Sequence, residues 1–161
     1  MPNRKIDEPQ ALSSVADFHD TFNLPVLDTP VIPDIDRTRL RINLIEEELA
    51  ELKEAIDNDD LVEVADAFCD LQYVLSGAIL EFGLKDQFKI LFDEVQRSNM
   101  SKTCKSMEEA EATQKHYLEE KGMASRIEER NGEFLVYRIE DGKVLKSVNY
   151  SPANIKGLLE K

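Results

Sequence analysis

The chain has 161 residues, 33 Asp and Glu against 20 Lys and Arg, a formal net charge of −13 at pH 7 and 42% hydrophobic residues. That length suffices for a core plus a small appendage. The acid surplus argues against nucleic acid as a partner, since such binding draws on clustered cations facing phosphates. No stretch approaches the roughly 18 consecutive apolar residues of a membrane helix, so no membrane partner is expected.

A small phosphorylated substrate remains open to an acidic protein where divalent cations stand between carboxylates and phosphates. The opening MPNRKIDEPQ lacks the apolar core of a secretory signal. Cys69 and Cys104 show neither metal nor redox spacing. A reducing cytoplasm is therefore the expected compartment, with both thiols as small packing residues.

In chain order, SSVADFHDTF predicts a short helix, and Pro25, Pro30 and Pro33 then forbid a continuous one, giving an extended arm from Leu24 to Asp34. This arm either wraps a second subunit or is loosely ordered. Leu40, Ile45, Leu49, Leu52 and Ile56 recur at helical spacing and predict a long core helix from Asp36 to Ile56. Asp59 or Asp60 caps the next helix, from Leu61 to about Phe82, with Gly83 as its stop.

A third core helix is expected from about Asp86 to Arg97, burying Phe88, Leu91, Phe92 and Val95, with RSNMSK as its frayed end. Ser106 and Glu109 have capping-box spacing and open a more polar helix to about Glu120. The dipeptides Asn131-Gly132 and Asp141-Gly142 divide β-rich segments and predict a three-stranded meander, and Pro152 permits a last short helix through Leu159. The expected fold is mainly α, an antiparallel helical bundle over residues 1–121 with a small C-terminal β-meander and helix over 122–161.

LIEEELAEL places Glu47 about 40° and Glu48 about 60° from Glu51 around the first long helix, so that all three can point into one region. Alone, that is an ordinary solvated acidic face. The following helix changes the weighing. LVEVADAFCDLQYVLSGAIL is apolar in nearly every direction and is expected to be buried on most sides, yet Glu63, Asp66 and Asp70 form one stripe on it.

A buried carboxylate is costly unless paired, hydrogen-bonded or bound to metal, and neither Lys nor Arg neighbours the stripe. A helix N-terminus favours Glu63 but not Asp66 or Asp70. Antiparallel packing through the short connection would gather about five carboxylates in one hollow, and hard, oxygen-preferring Mg²⁺, or Mn²⁺, would relieve their repulsion. His19 and His116 do not follow a glutamate at di-iron spacing, the acidic loop lacks the EF-hand glycine, and no Walker loop, dinucleotide fingerprint or nucleophile elbow occurs.

EELAE followed after eleven residues by EVAD resembles the EExxE…ExxD signature of the all-α NTP pyrophosphohydrolase superfamily, which contains MazG, the dimeric dUTPases and phosphoribosyl-ATP pyrophosphohydrolase. DLVEVADAFCDLQYVLSG and FDEVQRSNMSK strengthen the likeness to its MazG-like, phosphoribosyl-ATP pyrophosphohydrolase-like branch, over roughly Leu40 to Lys105. The resemblance implies cleavage between the α and β phosphates of a nucleoside triphosphate, giving a monophosphate and pyrophosphate.

It also implies Glu48, Glu51, Glu63 and Asp66 as core metal ligands, with Asp70 as an outer partner or third-ion ligand. Glu47 would hold a further ion or act as base, and whether Glu47 or Glu48 takes the proton stays open. Arg97, Asn99 and Lys102 would contact phosphates, or simply face a helix C-terminus. Tyr73 borders a base pocket or packs in the core. A homodimer or tetramer is implied, and the apolar second helix agrees with burial by a partner subunit. The alternatives are a non-catalytic nucleotide-binding or dimerisation module, and a hydrolase of phosphoribosyl-ATP.

Overall fold

The computed structural model describes residues 5–160. The first four residues of the stretch read for export, and the last residue of the expected appendage, lie outside the described residues. The element order is α1 (Ala11–Thr21), α2 (Ile35–Asp57), α3 (Leu61–Glu81), α4 (Phe88–Met100), α5 (Met107–Lys121), β1 (Ser125–Arg130), β2 (Glu133–Arg138) and α6 (Ile155–Leu159). The fold is mainly α with a small antiparallel sheet. Two compact units divide at Lys89/Ile90, so position 121/122 falls inside the second.

In the first unit, Asp34 caps α2 by accepting from the backbone N–H of Asp36 and Arg37 at 3.1 and 3.0 Å. Asp60 caps α3 in the same way, from Val62 and Glu63 at 3.0 and 3.2 Å. The three residues between α2 and α3 are too few to do anything but fold α3 back along α2, and the two pack together while α1 packs on α3.

At the far end of α3, Glu81 is 1% exposed and accepts from both Arg37 and Arg41. Burial pushes its carboxyl upward, but the hydrogen bonds from Arg37 and Arg41 outweigh that and hold it below the usual range. The network continues to His19, whose Nδ1 lies 2.9 Å from the Pro25 carbonyl. A carbonyl only accepts, so Nδ1 carries the proton and Nε2 accepts from Arg41 Nη2 at 3.2 Å. Gly77 makes room for this packing, since a Cβ there would stand 2.6 Å from Arg41 Nη1.

The proline-spaced arm is not loosely ordered but hydrogen-bonded along its length to the same chain. Leu27 N–H donates to the Leu80 carbonyl at 3.1 Å and Val31 N–H to the Phe82 carbonyl at 3.0 Å, which ties the arm to its own α3. Gly83, at φ +67°, lies so close beneath Thr29 that any Cβ would collide with its carbonyl.

The α3 helix is less buried than its composition predicts: Leu61 is 79% exposed, Val62 76% and Phe68 57%. Ala67, Ser76, Gly77, Ile79 and Leu80 supply its buried face instead, weighted toward the C-terminal half. Cys69 is also exposed, so it is not a packing residue; Cys104 is buried, and both are free thiols.

In the second unit α4 runs on to Met100, and of its expected apolar face Leu91 is buried whereas Phe92 and Val95 are exposed. Ser106 Oγ accepts from Glu109 N–H at 3.2 Å, but the Glu109 carboxylate takes the Lys105 N–H at 2.8 Å and the Ser147 hydroxyl, so only half of the capping box forms.

The meander has two strands, not three. β1 and β2 pair antiparallel, and the third segment contributes only a bridge at Val144 opposite Tyr137. Asp141 explains the shortfall. Its carboxylate ties Arg138 and accepts from Lys143 N–H at 3.0 Å, turning the chain tightly before a ladder can extend. The core of this unit is Cys104, Ala110, Tyr117, Val136 and Leu145.

Candidate metal and phosphate site

The acids of α2 and α3 meet along one side of the helix pair. Glu48 sits at the boundary of the packed region, and its Oε2 is buried without a hydrogen-bond partner. Burial first, then the negative charges of Asp70, Glu51, Glu47 and Asp66, push its carboxyl above the usual range. One side chain thus feels four of the other five acids singled out from sequence.

The fifth, Glu63, lies with Glu51 on a hollow of about 330 Å³ at the connection end, whose wall also includes Glu54, Ala55, Asn58 and Asp60. That wall contains no Lys or Arg. Glu54 escaped the sequence argument, although its position one turn beyond Glu51 was the available signal.

These residues fit a hard dication. The donors are carboxylate oxygens, the preference of Mg²⁺ and Mn²⁺, and a buried carboxylate oxygen without a partner is costly unless something positive reaches it. Among the described residues no three acids already stand close enough to form a finished cage.

Tyr73, on α3, is 39% exposed and meets Phe18 edge-on with ring centroids 5.6 Å apart. It lines a cavity of about 240 Å³ together with Leu40, Leu44 and Val74. It therefore lies at a rim rather than deep in a core.

The three other sequence-selected residues belong to the second unit. Arg97 is already engaged: both ends of its guanidinium bind Glu94 at 2.8 Å, and it donates to Ser151 Oγ and the Pro152 carbonyl at 3.1 Å. The Arg97 hydrogen bonds hold the Glu94 carboxyl down at about 2. Lys102 Nζ binds Asn99 Oδ1 at 2.8 Å, and Asn99 and Lys102 both line a larger hollow.

An α2–α3 pair carrying this EExxE…ExxD acid set defines the all-α, MazG-like class of NTP pyrophosphohydrolases. Within that class, the phosphoribosyl-ATP pyrophosphohydrolase family model matches residues 15–99, and the chain belongs to that family. Membership places it among pyrophosphohydrolases. The chain is also similar to uncharacterized protein L479 of Acanthamoeba polyphaga mimivirus, at 24% identity over 91% of this chain and 94% of that protein. Among the described residues no helix is long and apolar enough to cross a membrane.

Proposed function

We propose that the protein hydrolyses the α–β phosphoanhydride bond of an NTP or dNTP, releasing a nucleoside monophosphate and pyrophosphate, with Mg²⁺ as cofactor and Mn²⁺ as a substitute. The observation that carries this reading is the partnerless, buried Oε2 of Glu48 amid the charges of Asp70, Glu51, Glu47 and Asp66. Glu48, Glu51, Glu63 and Asp66 would hold the cation, with Asp70 as outer partner or further ligand. When bound, the cation supplies the positive charge that offsets both the acids and the polyphosphate.

Glu47 is exposed on the same helix and is the chain's group for accepting the proton of the attacking water, with Glu48 as the other candidate. Tyr73, Asn99 and Lys102 are the candidate substrate contacts. Arg97, held by Glu94 and the 151–152 segment, acts by fixing that segment.

Incubation with Mg²⁺ and a panel of NTPs and dNTPs should release pyrophosphate and no orthophosphate, and EDTA should stop it. Orthophosphate release would mean that a different bond is cut. Silence across the panel would overturn the NTP reading. Phosphoribosyl-ATP belongs in the same panel because the family description favours it; a response to it alone keeps the acid site and changes the nucleotide.

The exposed apolar residues Leu61, Val62 and Phe68 on α3, with Leu49 and Ile56 on α2, support a homodimer, or a tetramer built from it. The two free thiols support a reducing cytoplasm.

A further inference from the structure

We infer that the free edge of β1 pairs with the β1 edge of a second copy of this chain, antiparallel and in a single register, so that two small sheets join into one. β2 is occupied on both of its sides. On the side away from β1, Phe134 exchanges backbone hydrogen bonds with Cys104 at 2.8 and 3.0 Å, the Val136 carbonyl accepts from Leu145 N–H at 2.8 Å, and Arg138 N–H donates to the Lys143 carbonyl at 2.9 Å. Backbone groups alternate in direction along a strand. The β1 residues opposite these three, Glu129, Ile127 and Ser125, therefore turn their N–H and C=O groups away from β2. Among the described residues only the Ser125 carbonyl is met by a hydrogen bond on that side, from Gln114 Nε2 at 2.6 Å.

Exposed edges are commonly blunted by Lys, Pro or a bulge. The strand SRIEER has no Lys, Pro or Gly, and its ladder with β2 runs unbroken from Ser125 to Arg130. Its charges do not protect it against itself, because they are self-complementary. A two-fold axis through Ile127 sets Arg126 opposite the partner's Glu128, and Glu128 opposite the partner's Arg126, on one face; on the other, Ile127 meets the partner's Ile127. The same register brings the partner's Glu129 opposite Ser125, whose Oγ is buried without a hydrogen-bond partner beside a hollow that Ser125 and Lys115 both line.

The neighbouring registers are mismatched. Moving the axis to Arg126 sets that residue opposite the partner's Arg126, and moving it to Glu128 sets Glu128 opposite the partner's Glu128 and Arg126 opposite the partner's Arg130. In the single chain Arg126 and Glu128 meet each other at 3.0 Å and are about half exposed, so exchanging that pair for the crossed one costs little. A contact along one short strand falls well below the roughly 1,200–2,000 Å² of a stable interface, which makes this a weak association added to any pairing through α3. β1 also lies beyond residues 15–99 that match the family, so the edge is not part of that shared core.

Sedimentation equilibrium of the full chain up to about 500 µM reads this contact directly. A weak step should appear from dimer to tetramer in the wild type, and from monomer to dimer in Leu61→Glu/Val62→Glu, so the edge is tested whether or not the α3 face pairs. Arg126→Glu and Glu128→Arg each set like charges opposite one another in the pair, and should weaken the step at least about tenfold while circular dichroism stays that of wild type. An equal mixture of these two variants faces opposite charges again and should recover the step, as should the double variant Arg126→Glu/Glu128→Arg. The inference falls if no step appears, which would leave the edge to a strand of another protein. It falls equally if either single variant associates as wild type does, or if neither the mixture nor the double variant recovers the step.

Discussion

At Glu48 burial and charge act against folding together, and this gives the site a thermodynamic signature separate from catalysis. Its carboxyl is raised by desolvation and by Asp70, Glu51, Glu47 and Asp66. A carboxylate with a raised folded-state pKa favours the fold most below its unfolded value of about 4.3, and that advantage is lost as pH rises through the folded value. Glu48→Gln should therefore raise Tm at pH 7, by about 2 °C or more, with the gain vanishing below about pH 4. Thermal melts across pH check this.

Glu51→Gln or Asp66→Asn should abolish pyrophosphate release while circular dichroism stays that of wild type, whereas Asp86→Asn should leave turnover nearly unchanged. Activity surviving both acid-site changes would remove the metal assignment. These residues were legible because spacing on two helices fixes which carboxylates can meet. Glu54 was not, because whether a charge one turn further along lines a hollow or faces water depends on how the connection closes.

Among the elements, α3 is held at its two ends by different means, Asp60 at the start and the Glu81 network with the arm at the finish. Glu81→Gln would leave Arg37 and Arg41 without their shared counter-charge, and should cost about 3–5 kcal/mol of stability in a denaturant titration. Gly83→Ala should also destabilise, by more than about 1 kcal/mol, through both the positive φ and the collision with Thr29.

Helix positions followed from apolar spacing and caps, so α2 and α3 were readable within a residue or two. The arm's attachment was not. It uses backbone hydrogen bonds from Leu27 and Val31, which leave no mark in side-chain pattern. The third strand failed for a local reason, since Asp141 gathers Arg138 and the Lys143 N–H into a turn where Asp-Gly alone suggested a hairpin.

On the scale of the molecule, apolar content and burial part company on the helix that carries Glu63, Asp66 and Asp70. Its sequence reads as interior on nearly every side, yet the single chain covers mainly the C-terminal half. A sequence records that a surface is meant to be covered but not by what. Analytical ultracentrifugation should find a dimer at micromolar concentration, and Leu61→Glu/Val62→Glu should shift it to monomer.

The two cysteines turn this into a measurement needing no engineered label. Cys69 is open on α3, while Cys104 is sealed beneath the sheet of the other unit. A maleimide should therefore modify one sulfur quickly and the other only when the second unit opens. Dilution that frees α3 would quicken the first reaction alone, and denaturant would release the second.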